Sequence, residues 1–227
     1  NQQLRQALAG IARENADVPS SGLYTAAKGL VPEGLTVDGL DYRDAAGDPL
    51  PTISEPKALY LAARQGMATS DFSGVTLLLP KSAGLTELAD QINSAWQKEC
   101  SLFFSVEEVE QDEFDARIAA GKYTIALAPI RAEGGSVYQM LQQFTTAGGS
   151  LTGYADPVYA DRLALSAQQT GKDRCALLAQ CEQQLLESCT VVPLMAQQKR
   201  LLLANGVRDL VFDPFFPVLD LTWAKMS

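Results

Sequence analysis

The sequence predicts a layered α/β domain, with a mainly parallel mixed sheet flanked by helices. Two apolar strand signals within residues 75–128 are each followed by an amphipathic helix signal, a third apolar run closes the stretch, and the links between them are short. Strand, helix, strand, helix, strand in this order favours right-handed crossovers, and ligand crevices in such sheets lie beyond the carboxyl ends of the strands. The loop after Ala128 is therefore the first place to look for a site.

The elements follow in order. A helix is expected over residues 4–13, with Leu4, Leu8 and Ile11 as its apolar stripe. Residues 17–51 are turn-rich, containing Gly29, Pro32, Gly34, Gly39, Gly47 and Asp48, and so long a loop is usually functional or wrapped over a surface. Ser54 opens a helix through Met67, with Leu59, Ala62 and Ala63 as its inner residues. VTLLLP (75–80) is a β-rich run ended by proline. After it, Leu85, Leu88, Ala89, Ile92, Ala95 and Trp96 recur at spacings of three and four, which makes one helix face apolar. SLFFSVEEV (101–109) alternates, with Leu102, Phe104 and Val106 on one side and Phe103 and Ser105 on the other, as a half-buried strand does. A second helix carries Phe114 and Ile118 inward and stops at Gly121, and YTIALA (123–128) is the third strand.

Beyond this core, Ser136 caps a short helix that buries Val137, Met140, Leu141 and Phe144. Asp156 followed by Pro157 is a start signal, because proline suits the first helical position. A helix over about 172–188 places Cys175, Leu178, Cys181 and Leu185 along one face, and TVVPL (190–194) and RLLLA (200–204) read as strands.

Composition excludes several functions. A net charge of −9 and a pI near 4.6 argue against a nucleic-acid surface, which needs clustered Lys and Arg. No apolar run approaches the roughly 18 residues of a membrane helix. The start, NQQLRQALAG, lacks a signal-peptide profile and reads as the inside of a helix, so the chain is expected to be a fragment of something longer. Histidine is absent, which removes the commonest general base and metal ligand, and no metal or cofactor is expected. Cys175 and Cys181 lie roughly 9 Å apart along a helix axis, too far for a disulfide, while pairing of Cys100 or Cys189 stays open.

Two chemical motifs have plainer readings. Ser54 and Lys57 form S-x-x-K, the spacing of serine–lysine nucleophiles in penicillin-binding proteins and β-lactamases, but Pro56 and the absence of partner motifs favour a helix cap. The acidic run 107–115 lacks the alternating calcium-loop pattern and reads as a solvated strand end and first helical turn. Trp96 belongs to the apolar helix stripe.

Four segments together resemble the C-terminal lobe of the extracytoplasmic solute-binding proteins of oligopeptide and nickel ABC importers, solute-binding family 5. NQQLRQALAG is similar to the family's opening helix through Asn1, Leu4, Arg5, Gln6, Ala7 and Leu8. GLVPEG (29–34) with EPKALYLAARQGM resembles its Gly-Leu-Val-Pro loop and next helix, VTLLLP with ELADQINSAWQKE its strand and helix, and CEQQLLESCTVVPL its Glu-Gln helix and Pro-Leu strand through Glu182, Gln183, Pro193 and Leu194. The resemblance spans nearly the whole chain in the family's order.

It implies a type II periplasmic-binding-protein-like lobe over residues 1–227, a receptor and not a catalyst. The core unit is 75–128, and the tail 205–227 would pack toward a missing N-terminal lobe of the same chain. Implied partners are a small solute or peptide and ABC permease subunits. The protein is expected to be monomeric and extracytoplasmic, periplasmic or a cell-surface lipoprotein. Peptide-binding members commonly carry a Trp and then an Asp-Tyr segment whose Asp pairs with the ligand's amino terminus. Here the segment reads APIRAEGGSVYQML (128–141), with neither Trp nor Asp. Glu133 would replace that carboxylate, Arg131 would suit an anionic group through its bidentate fork, and Gly134 with Gly135 before a helix start would cradle an anion. Tyr154 is a loop aromatic of the kind that lines clefts. A ligand-sensing domain of a transcription regulator is the alternative, and a serine–lysine hydrolase is the third class.

Overall fold

The computed structural model describes residues 1–67, 72–131, 135–145, 151–198, 201–212 and 219–226. Helix α1 (Gln2–Asn15) is followed by strands β1 (Tyr24–Ala26), β2 (Thr36–Val37) and β3 (Leu40–Asp41) and by helices α2 (Tyr42–Ala46) and α3 (Pro56–Gln65). Then come β4 (Thr76–Pro80), α4 (Thr86–Cys100), β5 (Ser105–Val109), α5 (Gln111–Ala119) and β6 (Ile125–Ala126). Helices α6 (Val137–Gln142), α7 (Pro157–Ser166) and α8 (Gly171–Glu187) precede the short strands β7 (Met195–Gln197), β8 (Val207–Arg208), β9 (Val211–Phe212), β10 (Leu219–Asp220) and β11 (Lys225–Met226).

The expected strand–helix alternation forms a parallel sheet of order β5-β4-β6. The pleat of β4 divides its leucines between two faces. Leu77 and Leu79 pack with Ala89, Ile92, Trp96 and Phe104 and with Ala7 and Ile11, so α4 and α1 cover one face. Leu78 packs with Val109 and Phe114, so α5 covers the other. All three leucines are at most 2% exposed, and each such burial is worth roughly 1.5–3 kcal/mol. Trp96 is core, as its stripe implies, and its indole N–H donates to the Leu8 carbonyl at 3.0 Å.

A second core is helical. Leu30, Val31, Leu35 and Val37 from the long loop pack with Tyr42 and with Val137, Leu141, Phe144, Leu163, Leu178 and Leu185 of the later helices. The stretch 17–51 is therefore wrapped over the helical core, and it holds β1, the β2–β3 hairpin and α2. Asp38 at the hairpin tip accepts from the Gly171 N–H at 2.7 Å, so a residue far away in sequence caps α8, whose own Thr170 makes no side-chain cap. Helix α1 lies close against the start of α3 and the residues before it: a Cβ on Gly10 would sit 2.9 Å from both Ile53 and Pro56.

Several expectations shift. The helix expected from Ser54 starts at Pro56, because proline suits the first turn and Glu55 before it turns left-handed (φ 50°). Its fully buried residues are Tyr60 and Ala63, and half-buried Leu59 packs against the same core as expected, whereas Ala62 is exposed. Leu102 to Phe104 keep the predicted in–out alternation, with Phe103 outward, but pairing begins only at Ser105. Asn93 explains why: its side chain donates to the Phe104 carbonyl at 2.8 Å and accepts from the Phe104 N–H at 3.1 Å, occupying both backbone groups. The third strand is reduced to Ile125 and Ala126.

Near the end, TVVPL is not a strand. Cys189 is left-handed (φ 49°), the Ser188 hydroxyl takes the Thr190 N–H, and Pro193 has no N–H, so pairing is displaced to Met195–Gln197, antiparallel to β1. Of RLLLA, Arg200 lies outside the described residues and 201–204 form no strand, with Leu202 95% exposed. Among the described residues the parallel part of the fold is confined to the one three-stranded sheet, and the other ladders are two-stranded and antiparallel. All four cysteines are buried and unpaired.

Candidate functional site

The sheet order places the crevice. β4 connects to β5 through α4 on one face, and β5 returns to β6 through α5 on the other, so the chain reverses direction between β4 and β6. Loops leaving the carboxyl ends of such a pair diverge, and α/β sheets take their ligands at this switch point. Its walls are the turn 81–84 after β4 and the segment 127–131 after β6. The Leu127 N–H still pairs with the Leu78 carbonyl at 3.0 Å, which holds the second wall against the sheet.

On the β5 side the strand ends are closed by side-chain pairs. Lys81 contacts Glu110 at 2.8 Å, Ser82 donates to Gln111 at 2.7 Å, and Thr86 donates to Glu108 at 2.6 Å. Glu110 beside it raises the Lys81 pKa above the ordinary lysine value. The acidic run is thereby partnered within the protein, with Arg117 bridging Glu107 and Glu113.

Of the residues singled out in sequence, Glu133 and Gly134 lie outside the described residues. Arg131 is exposed at the end of the wall after β6, and its carbonyl accepts from the Gln143 side chain at 3.2 Å. The Gln143 carbonyl accepts from the Leu151 N–H at 2.9 Å, and the Leu151 carbonyl accepts from the Tyr123 hydroxyl at 2.5 Å. One glutamine thus ties the loop of Arg131 to the loop that leads to Tyr154.

Tyr154 is half-buried. Its ring meets Tyr159 edge-on, with centroids 5.4 Å apart, and its hydroxyl lies 3.2 Å from Asp156. Asp156 caps α7 by accepting from the Val158 and Tyr159 N–H groups, and Gln184 donates to it at 2.9 Å. The Tyr159 amide leads the causes that hold the Asp156 carboxyl below its usual range, while burial raises the Tyr154 phenol. Arg162 completes the group by donating to Gln184. This network fixes the base of the loop, and Gly153 (φ 66°) turns the chain just before it.

The polar centre that sequence reasoning missed is elsewhere. Glu182 is fully buried and accepts from Arg43, from the Tyr42 hydroxyl and from the Val31 N–H, each at 2.9 Å. Arg43 also reaches the Val31 carbonyl at 2.9 Å and the Gly47 carbonyl at 2.8 Å. Burial, and then the Glu182 charge, raise the Tyr42 pKa well above the ordinary tyrosine value. Gly29 is required here, since a Cβ would sit 2.6 Å from Glu182 and 2.9 Å from Arg43. The signal was present as a lone Glu among the apolar positions of α8 and a loop opening on glycine. The arrangement anchors the 29–34 loop. The adjoining depression, of about 470 Å³, has three of its four acids engaged: Asp41 caps α2, Asp48 accepts from Leu50, and Glu33 pairs with Lys28.

Hydrolase chemistry finds no support at Ser54. That residue precedes α3, and Lys57 faces Glu99 at 3.6 Å. Among the described residues no cluster of three or more His, Cys, Asp or Glu could hold a metal ion, and no helix is long and apolar enough to cross a membrane.

No protein-family model and no curated protein sequence matches the chain. Solved structures do. The whole chain superposes on 45% of the pheromone receptor PrgZ, a structure reported with its mode of peptide binding, at a TM-score of 0.74 and 17% identity. It superposes equally completely on 46% of the substrate-binding domain of an oligopeptide ABC transporter from Bacillus anthracis strain Ames, at a TM-score of 0.75 and 16% identity. A peptide-binding protein of a peptide ABC transporter matches 86% of the chain over 90% of its own length, with a TM-score of 0.71 and 17% identity. The chain spans less than half the length of the first two. It shares its fold with a portion of the first two and with most of the third.

Proposed function

We propose that the chain is one lobe of a solute-binding protein that delivers a peptide to an ABC importer. The observation that carries this reading is the superposition of all 227 residues, with no element left over, on just under half of two proteins described as a peptide-binding receptor and an oligopeptide transporter component. The crevice beyond β4 and β6 supports it, because that is where an α/β sheet of this order takes a ligand.

In this reading the ligand lies against the walls 81–84 and 127–131. Arg131, Glu133, Gly134 and Tyr154 are its contacts from this lobe. A second lobe closes over it and excludes water, and the closed form docks to the permease. The arm from residue 205 onward packs against that second lobe, which gives its exposed Trp223 and Leu221 a partner. The protein works outside the cytoplasmic membrane as a monomer and performs no catalysis.

The test is a thermal-shift screen of the full-length polypeptide against pools of di- to decapeptides, oligosaccharides and metal chelates. A ligand bound only by the folded state at about a hundred times its Kd stabilises by roughly 2.7 kcal/mol, a readable rise in Tm. Peptide pools are expected to raise Tm. A rise only with another pool would replace the substrate class.

A further inference from the structure

We propose, independently of the importer reading, that Asn205 is a site of spontaneous covalent modification, where the side-chain amide is lost through a cyclic imide and the main chain is rerouted through the Asn205 Cβ. An asparagine followed by glycine suits this chemistry, because glycine has no side chain to hinder approach to its nitrogen and takes main-chain angles that other residues avoid. Asn205 precedes Gly206, which holds a φ of 94°. The two form the middle of a turn closed by the Val207 N–H and the Ala204 carbonyl at 3.2 Å. Asn205 is exposed, and its side chain has no partner among the described residues.

The other asparagines of the chain, Asn1, Asn15 and Asn93, differ on each point, and none is followed by glycine. Asn1 caps α1 by accepting from the Leu4 N–H, and Asn15 donates to the Ile11 carbonyl at 2.8 Å. Asn93 is fully buried, with both ends of its amide on the Phe104 main chain. An aspartate before glycine could close the same ring, and Asp38 precedes Gly39 (φ 80°). Its carboxylate, however, is held by the Gly171 N–H at 2.7 Å and by Arg174 at 3.2 Å. Exposure, a glycine neighbour and an unheld side chain therefore coincide at residue 205.

The reaction needs water as its co-reactant. The Gly206 nitrogen attacks the Asn205 Cγ, a C–N bond forms, and the side-chain amide leaves as ammonia, taking the Gly206 amide proton. Water then opens the imide, its hydroxyl adding to one carbonyl carbon and its proton going to the released nitrogen. Opening at Cγ gives aspartate, and opening at the main-chain carbonyl gives the isoaspartyl isomer. Either product adds one negative charge to the net −9. The isomer also inserts a carbon into the main chain directly before β8. That strand is two residues long, pairing Val207 with Met226 and Arg208 with Lys225, and so short a ladder has little to hold its register. Isomerisation thus frees β11 and the exposed Trp223 near it from β8.

The full-length polypeptide, aged at mildly alkaline pH, would be digested with trypsin beside a fresh sample. Cleavage after Arg200 and Arg208 isolates 201–208, in which Asn205 is the one asparagine. The aged peptide should gain about one dalton and accept methyl groups in an isoaspartyl assay, while the peptides carrying Asn15 and Asn93 stay unchanged. Asn205→Gln, which leaves Gly206 in place, should slow the conversion roughly tenfold or more. Chymotrypsin should cut at Trp223 faster in aged than in fresh protein, and equally in both for Asn205→Gln. An unchanged 201–208 peptide, or conversion no faster than at Asn15, would overturn the site. Conversion without faster cleavage at Trp223 would overturn its effect on the arm.

Discussion

The two cores of this chain are built by opposite means. The α/β core around β4 is apolar almost throughout, with the fully buried Asn93 as its polar insertion, and it is specified by periodic leucines and aromatic residues. The helical core has a buried ion pair at its heart, and Arg43, Tyr42 and Glu182 connect α2, the 29–34 loop and α8 in one network. Apolar periodicity makes elements, whereas directional bonds place loops. The loop-rich half of the molecule adds the second device because the apolar residues of 17–51, Leu30, Val31, Leu35 and Val37 among them, lie in a stretch with little regular secondary structure to place them.

The largest expected effect tests that contrast. Glu182→Gln leaves Arg43 buried without its counter-charge and should cost about 3–5 kcal/mol in urea unfolding, whereas pairing Glu182→Leu with Arg43→Met should recover most of it. Recovery with a disordered 29–34 loop, read by proteolysis, would show that the pair serves placement more than stability. In the other core, Asn93→Leu orphans the N–H and carbonyl of Phe104, and a loss of about 2 kcal/mol is expected. Equal losses at both sites would dissolve the distinction between them.

Asp156→Ala removes the α7 cap and should cost about 1 kcal/mol. Because its carboxyl is held below the ordinary value of about 3.9, the wild-type cap contributes fully above that pH and is lost as pH falls through the depressed pKa. The variant's stability should therefore fall less between pH 4 and pH 2, as followed by circular dichroism.

The smallest effect concerns the thiols. Burial pushes Cys181 up to about 11 and raises Cys100, Cys175 and Cys189 as well. All four should resist a thiol reagent in native buffer and react together on denaturation. Early reaction of Cys175 or Cys181 would mark the helical core as the looser one.

The sequence made the apolar core legible because spacing is what it displays. The alternation over 75–128, the cap at Ser136, the Asp156–Pro157 start and the core positions of Trp96 and of the cysteines on α8 all appear where their periodicity put them. What it hid was tertiary. Nothing local to Phe104 reveals that Asn93 takes its hydrogen bonds, and nothing near Thr170 reveals that Asp38 caps its helix. TVVPL has a strand's composition, but the left-handed turn at Cys189 delays pairing until Met195. Topology says where a crevice is to be sought, because a strand order implies where loops diverge.

The pairing of β1 with β7 joins Tyr24 to Gln197. A chain made from its amino end must hold that strand unpaired while about 170 further residues are added, roughly ten to thirty seconds at ordinary synthesis rates. For that interval the β1 edge is available to wrong partners. Its short length and the half-exposed, polar-interrupted sequence Tyr24–Ala26 make it a poor template for aggregation. Closure of β1 onto β7 is thus a late step, and a holding factor would have a long task at this strand.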